Sequence, residues 1–451
     1  MGARTKGCME KLVIIGNGVS GTTVARHVRK LKEDIDICII SSETDHFFSR
    51  TALMYIYMGH MTYEHTKPYE NEFWGKNRIE LKRGYVEQAL LNAKQLVLSS
   101  GEKINYDYLV FATGSKTNKF GWPGQDLPGV QGLYSYQDLE TLEENSVGAK
   151  QAVIVGGGLI GIELAEMLLS RKISVTFLVR ETHYWGNILS EKEAELVRIH
   201  GESHGVDFRF GTELKEIIAG SNGRVKEVIT SENECVSCDI VGLCAGVHPN
   251  IDLAKHTDLE VERGILVNDY LETSIANVYA VGDCAEIKVN GARNRIEPLW
   301  YTGKMQAEHL AKTIVGNRTK YNRGIWFNSA KFFDLEYQTY GQIGAKDPEG
   351  VSSFYWISKD GTKCVRIAYR TDNEVVQGVN TFGIRMRQNV WTHWLRAEKS
   401  IEYVLSNLKQ ANFDPEFYQQ YEQDIVNEFL NCFPNKTLTL NPIKRFFKRF
   451  V

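Results

Sequence analysis

Two stretches of this chain share one pattern of apolar and polar positions. Leu12, Val13, Ile14 and Ile15 form an unbroken apolar run, followed by Gly16-Asn17-Gly18-Val19-Ser20-Gly21, and Val24, Val28 and Leu31 then recur at helical spacing. A run that is apolar at every position predicts a strand covered on both faces, as in a parallel sheet. The same order returns later: a strand over Ala152–Val155, the turn Gly156-Gly157-Gly158-Leu159-Ile160-Gly161, a helix over Ile162–Leu169 and a second strand over Val175–Val179. In each G-x-G-x-x-G the first glycine permits the turn, the second lets phosphates approach the backbone, and the third lets the helix pack on the strand. The helix N-terminus then offers unpaired N–H groups to a pyrophosphate. One such turn is a weak signal. Two in one chain predict two bound dinucleotides brought face to face.

The remaining pattern fits around these units. "IDICII" predicts a strand ending near Glu43, roughly 20 residues past the first turn, where a ribose-binding carboxylate belongs. Residues 41–61 are irregular and rich in aromatics, and residues 79–98 read as short hairpin strands leading to the buried strand "YLVFATG", closed by Gly114. "WPGQDLPGV" reads as a linker, Asp138–Glu144 as helical, and "IVGLCAGVHPN" as a buried strand ending in a Gly/Pro turn. "SIANVYAVGDCAE" is a further strand, with Asp283 just past its end at the ligand edge of an open α/β sheet. An amphipathic helix starts near Tyr301, an alternating strand-rich region runs from Ile325 to about Phe382, and Trp391 to about Leu430 is helical. The final "NPIKRFFKRFV" sets Ile443, Phe446, Phe447 and Phe450 on one helical face and Lys444, Arg445, Lys448 and Arg449 on the other.

The second unit departs at its specificity position. Val179 stands where a carboxylate would hold the ribose 2′-hydroxyl of NADH, and Arg180 follows, which favours the 2′-phosphate of NADPH. The alternative is a solvated Arg180 with Glu181 on the ribose. Length predicts about three domains. A net charge of −3 and the lack of a basic recognition motif argue against nucleic acid. No apolar run approaches the ~20 residues of a membrane span, and the first residues lack the apolar core of a secretory signal. The 8 cysteines are scattered, as expected in a reducing cytoplasm. "CVSC" at 235–238 has no second pair at zinc spacing, and His46 and His65 have no matching ligands, so no metal site is expected.

Taken in order, "GNGVSG", "FATG", "GGGLIGIELAE", "AGVHPN" and "YAVGDCAE" resemble the pyridine nucleotide-disulfide oxidoreductase superfamily, most closely its ferredoxin-reductase and NADH-oxidase branch, over residues 11–345. The resemblance implies an α/β fold of two Rossmann-like domains, with an FAD domain (1–120 and 241–322) split around an NAD(P)H domain (121–240). A C-terminal α+β interface domain (323–451) would carry the basic tail 442–451. It implies that Gly16, Gly18 and Gly21 hold the FAD pyrophosphate and Glu43 its adenosine ribose. Arg50, Ala112, Thr113, Gly114, Gly282 and Asp283 would complete the FAD site, Asp283 on the ribityl chain. Gly156, Gly158 and Gly161 would hold NADPH or NADH, with Arg180 at the specificity position. Glu163 would lie where nicotinamide meets flavin, and a helix starting at Trp300 and Tyr301 would aim its N-terminus at the flavin.

Members that reduce disulfides or peroxides carry a flavin-facing cysteine early in the first domain. Here "FFSRTALMY" occupies that place with Arg50, Thr51 and Tyr55, and there is no cysteine between Cys38 and Cys235. Without a thiolate there is no sulfenic acid or disulfide relay. Ferredoxin-reductase relatives have a lysine at the position of Tyr55 that pairs with the motif glutamate, which leaves the partner of Glu163 open and places Tyr55 with it as the candidate catalytic pair. The expected activity is hydride transfer from NAD(P)H to FAD, then electron transfer to a small redox protein such as a ferredoxin or rubredoxin. A quinone or dioxygen is the alternative acceptor, and a flavin-binding sensor with little turnover is the alternative of another class. The basic tail is read as contacting the inner membrane surface, an acidic partner, or the chain's own or a dimer mate's surface.

Overall fold

The computed structural model describes residues 9–414 and 419–442; the basic helical segment expected from Ile443 onward lies outside them. The apolar run becomes β1 (Glu10–Ile15), followed by α1 (Val19–Leu31) and β2 (Ile35–Ser41). β1 is the middle strand of a five-stranded parallel sheet, with β2 on one side and β4 (Tyr108–Phe111) on the other. Beyond β2 lies β3 (Ile79–Arg83), and beyond β4 the short strand Val278–Ala280. Leu12, Val13 and Ile14 are fully buried, each contributing roughly 1.5–3 kcal/mol of apolar burial.

The sequence expectation for residues 79–98 changes in one respect. Ile79–Arg83 is not a hairpin strand but the parallel edge of the main sheet, with Ile37 opposite Ile79. Only Ile79 is fully buried, and Glu80 and Arg83 are exposed, as suits a strand at the edge of the sheet. The antiparallel meander is Val86–Leu90, Gln95–Leu98 and Lys103–Asn105.

The second unit repeats this plan in more detail than its turn motif alone revealed. β5 (Gln151–Val155) leads through the glycine turn to α2 (Leu159–Ser170) and β6 (Ser174–Val179), and β7 (Ile240–Leu243) pairs on the other side of β5. Val206–Phe210 and the two-residue strand Val130–Gln131 close the parallel sheet at its edges. It too carries a three-stranded antiparallel meander, Leu214–Ala219, Val225–Thr230 and Cys235–Ser237. Val247–Pro249, read from sequence as a turn, is a strand pairing antiparallel with Ser115–Thr117. The outgoing and returning connections between the two sheets are therefore zipped together.

The helix α3 (Glu191–Ser203) crosses the second unit, and α4 (Trp300–Ile314) packs against α1. The C-terminal part is a five-stranded antiparallel sheet starting with β8 (Phe327–Phe332) and β9 (Leu335–Gly341). Trp391 and Trp394 are buried beneath it as core, the former stacked on Tyr340. One buried ion pair fastens this sheet to the second unit. Glu193, in the capping box that starts α3, accepts from Arg366 Nη1 at 3.2 Å, Asn380 Nδ2 at 2.9 Å and Ser190 Oγ at 2.7 Å. The Glu193 and Arg366 side chains are 0% and 1% exposed. Arg366 also pairs with Asp347 at 2.6 Å, so Glu193→Ala leaves the guanidinium a partner and should cost about 1–3 kcal/mol, whereas Arg366→Met leaves the buried Glu193 charge without a cation and should cost about 3–5 kcal/mol; denaturant unfolding of both variants checks this.

Candidate functional site

The two glycine turns are built by the same bonds. The Gly16 amide donates to the Ile40 carbonyl at 2.8 Å and the Ala112 amide to the Ile15 carbonyl at 2.9 Å; Gly156 donates to Leu178 at 3.0 Å and Cys244 to Val155 at 2.8 Å. Gly16 has φ +112° and Gly156 φ +110°, and a Cβ at either would run into the carbonyl of the neighbouring strand, Ala112 or Cys244. Only glycine serves there. Both helices then begin at the second glycine, Gly18 or Gly158, with no side-chain cap. A Cβ on Gly18 or Gly158 would meet nothing within 4 Å. Each unit thus turns uncapped N–H groups and the positive end of a helix toward open space, which fits a pyrophosphate. Gly21 and Gly161 lie against the carbonyls of Gly16 and Gly156, seating each helix on its turn.

Further predicted residues gather around the first turn. Gly282 and Gly303 both lie against Ser20 of α1, where an added Cβ would come within 2.5 and 2.6 Å of Ser20 Oγ. The Gly282 amide donates to the buried Gln306 of α4 at 2.8 Å, and Gln306 in turn donates to Glu297 at 3.3 Å. Asp283 Oδ2 accepts from Ser115 Oγ at 3.0 Å and Tyr134 Oη at 3.3 Å, and among the described residues no side chain donates to Oδ1. Burial raises the Asp283 carboxyl above its ordinary range. Thr113 Oγ1 donates to the Asn250 carbonyl at 2.6 Å, and the Asn250 amide to the Gly114 carbonyl at 2.8 Å, so the "FATG" and "AGVHPN" segments lock together.

Glu43 is occupied by protein donors. The Arg50 fork meets its two oxygens, each at 2.7 Å, and the Tyr136 amide donates to Oε1 at 2.9 Å. Arg50 also donates to the Tyr134 carbonyl at 2.5 Å and lies over the Tyr134 ring, 4.5 Å from its centroid. The carboxylate expected at a ribose and the guanidinium expected at the cofactor form one bidentate unit.

At the start of α4, Leu299 provides no side-chain cap. Trp300 is 39% exposed, while Tyr301 packs on Phe327 and its hydroxyl is 3.2 Å from Ser329 Oγ. Phe327, Ser329 and Lys331 share one face of β8 by the two-residue repeat of a strand. Lys331 reaches the remaining pair of interest. Its ammonium donates to Glu166 at 2.8 Å and lies 5.1 Å from the Tyr55 ring centroid. Glu163, one turn before Glu166 on α2, makes no hydrogen bond or ion pair among the described residues. Burial pushes its carboxyl up to about 7, Glu166 adds to the rise, and Lys331 opposes it. The cation absent at position 55 is thus supplied by β8, and it binds Glu166 rather than Glu163. The i, i+3 spacing of the two glutamates was readable in "GIELAE"; nothing in the local sequence pointed to Lys331, Ser115, Tyr134 or Gln306.

Arg180 is an open surface residue, its side chain 72% exposed and 3.1 Å from Glu181. Cys38 is 1% exposed inside β2, and burial pushes its thiol up to about 12, the opposite of an activated thiolate. Among the described residues no helix is long and apolar enough to cross a membrane.

With this geometry in hand, known proteins offer a comparison. The family described as pyridine nucleotide-disulphide oxidoreductase matches residues 10–307. The rubredoxin-NAD(+) reductase of Pseudomonas putida is 28% identical over 312 residues, 68% of this chain and 80% of that protein. The assimilatory nitrate reductase electron transfer subunit of Bacillus subtilis (strain 168) is 29% identical over 304 residues, 67% of this chain, and the chain spans only 39% of that protein's length. The structure of an NAD-dependent persulfide reductase from A. fulgidus shares the fold with a TM-score of 0.80 at 22% identity, covering 96% of this chain and 86% of that one.

The raised carboxyl of Glu163 has a thermodynamic consequence. Below pH 4.5 it is protonated folded or unfolded; above that the folded chain keeps a proton that the unfolded chain releases, so stability falls as pH rises toward about 7 and levels off beyond. Glu163→Gln should remove this slope and stabilise the chain at pH 8 by at most about 3 kcal/mol, read as the difference in thermal midpoints of the two proteins across pH 5–8.

Proposed function

The chain belongs to the pyridine nucleotide-disulphide oxidoreductase family, and from that premise we propose that it is an FAD-dependent NAD(P)H:acceptor oxidoreductase that serves a small redox protein such as a ferredoxin or rubredoxin. The observation carrying this reading is the pair of uncapped helix N-termini at Gly18 and Gly158, each opening onto free space. Residues 1–120 and 241–322 would form the FAD domain, 121–240 the NAD(P)H domain, and 323–451 the interface domain. When bound, FAD supplies the acceptance of hydride from nicotinamide and its release as electrons to an acceptor.

The chain's own residues bind, orient and tune. Gly16, Gly18 and Gly21 would hold the FAD pyrophosphate, with Glu43 and Arg50 acting as one unit toward the adenosine side. Ala112, Thr113 and Gly114, fixed by Asn250, would close the site, and Asp283 would offer Oδ1 to the ribityl hydroxyls. Gln306 holds Gly282 in place, and Trp300 and Tyr301 carry the uncapped start of α4, a partial positive charge that favours an anionic ligand group. Gly156, Gly158 and Gly161 would hold NAD(P)H. Glu163 keeps a proton on its carboxyl through part of the neutral range and, with Tyr55, Glu166 and Lys331, would set the polarity where the two rings meet.

The name of the P. putida relative, a rubredoxin-NAD(+) reductase, supports a redox-protein acceptor, and the inert Cys38 supports a path without a cysteine relay. Purified holoprotein supplied with NADH or NADPH should reduce a rubredoxin or ferredoxin at least about ten times faster than a soluble quinone or dioxygen; equal or faster turnover with quinone or dioxygen would replace this reading by the alternative. Arg180 gives a separate test. If it meets a 2′-phosphate, Arg180→Ala should raise KM for NADPH about ten-fold and leave KM for NADH unchanged, since a removed charge-assisted contact is worth about 1.5–3 kcal/mol; no change in either would return the ribose to Glu181.

A further inference from the structure

The end of α3 and the first hairpin of the C-terminal sheet bring together three side chains that have no part in the site above. His200 and His204, four residues apart, face the same way at the end of the helix. Asp334 sits in the two-residue turn between β8 and β9, where Phe332 pairs with Leu335. Its Oδ1 is 2.8 Å from His200 Nε2 and 3.4 Å from His204 Nε2. One ligand atom from each residue lies within 4.8 Å of the others.

The ring orientation bears on what this cluster can hold. His204 Nδ1 is 2.9 Å from the His200 carbonyl, which accepts but cannot donate, so the proton of a neutral ring is on Nδ1. The Nε2 lone pair of His204 is then directed at a carboxylate oxygen. His200 can donate from Nε2 to Asp334 Oδ1, but the second contact, from His204 Nε2 to the same oxygen, needs either a further proton on that ring or a metal cation among the three atoms. A backbone carbonyl fixing the far nitrogen is the usual support of a metal-bound histidine, and the C-terminal end of a helix favours positive charge.

The hairpin is also shaped for the purpose. Phe333 has φ +57°, a left-handed conformation that a two-residue turn ordinarily gives to glycine or asparagine. Its ring stacks on His204 with centroids 4.4 Å apart and planes 13° apart. The strained aromatic holds the imidazole still while the next residue presents its carboxylate.

We propose that His200, His204 and Asp334 bind a divalent transition-metal ion, with zinc best suited to this two-nitrogen, one-oxygen donor set and water completing a tetrahedron. The ion would clip the second dinucleotide unit to the C-terminal sheet. The inference is independent of the electron-transfer reading.

The test uses untagged, full-length holoprotein treated with a chelator, dialysed, and titrated with zinc chloride by calorimetry, with bound metal counted after equilibrium dialysis. One zinc per chain should bind, with affinity at least about ten-fold weaker in His204→Ala and in Asp334→Asn, while both variants keep the flavin spectrum and melting temperature of the metal-free parent. Zinc should raise the melting temperature of the parent and not of the variants. Zinc uptake equal to that of a His200→Ala, His204→Ala double variant would overturn the site, as would unchanged affinity in Asp334→Asn.

Discussion

The structure depends on a steric constraint that occurs twice. The first glycine of each turn lies so close under a carbonyl of the adjacent strand that no side chain fits. That contact bends the chain sharply from strand into helix. The helix therefore starts at a residue with no capping side chain, and its first N–H groups are left for a ligand. The buried β1 and β5 supply the rigid base, and the third glycine seats the helix against it. A larger residue at Gly16 or Gly156 would displace the strand or the helix, and the anion site would be lost with either.

Three separate regions bring four polar side chains together. α2 carries Glu163 and Glu166, the segment after β2 carries Tyr55, and β8 carries Lys331. Two carboxyls one helical turn apart beside a single ammonium cannot both be fully compensated. Lys331 bonds to Glu166, and Glu163 is the group left to rise to about 7. A buried carboxyl raised toward neutrality beside a second carboxyl is the kind of group from which functional sites are built. The arrangement requires the C-terminal sheet in its docked position, held by Glu193 and Arg366, so the third region contributes Lys331 to this cluster as well as contributing to stability.

Much of this was legible in the sequence because it is local. Strand, glycine turn and helix follow one another within about 20 residues in each unit, and the apolar run of β1 and the core position of Cys38 follow from burial on both faces. The parallel edge strand Ile79–Arg83 was misread because solvent on one side gives it the alternation of a hairpin strand. The pairing of Val247–Pro249 with Ser115–Thr117 was hidden because the two segments are far apart in sequence and short. Lys331 could not be found by pattern: nothing about a lysine in an alternating strand says which helix it will meet. The residues gathered around Glu163 come from such long-range docking, whereas those that would hold phosphate are written into single motifs.

The central claim is that the two uncapped turns place a flavin and a reduced nicotinamide within reach of one another. Anaerobic titration of the purified chain with NADPH and with NADH, followed by the visible absorbance of the flavin, tests it most directly. The account predicts one FAD per chain, bleached by about one equivalent of at least one of the two nicotinamides. A colourless chain that takes up no FAD, or a bound flavin that neither nicotinamide reduces, would contradict it.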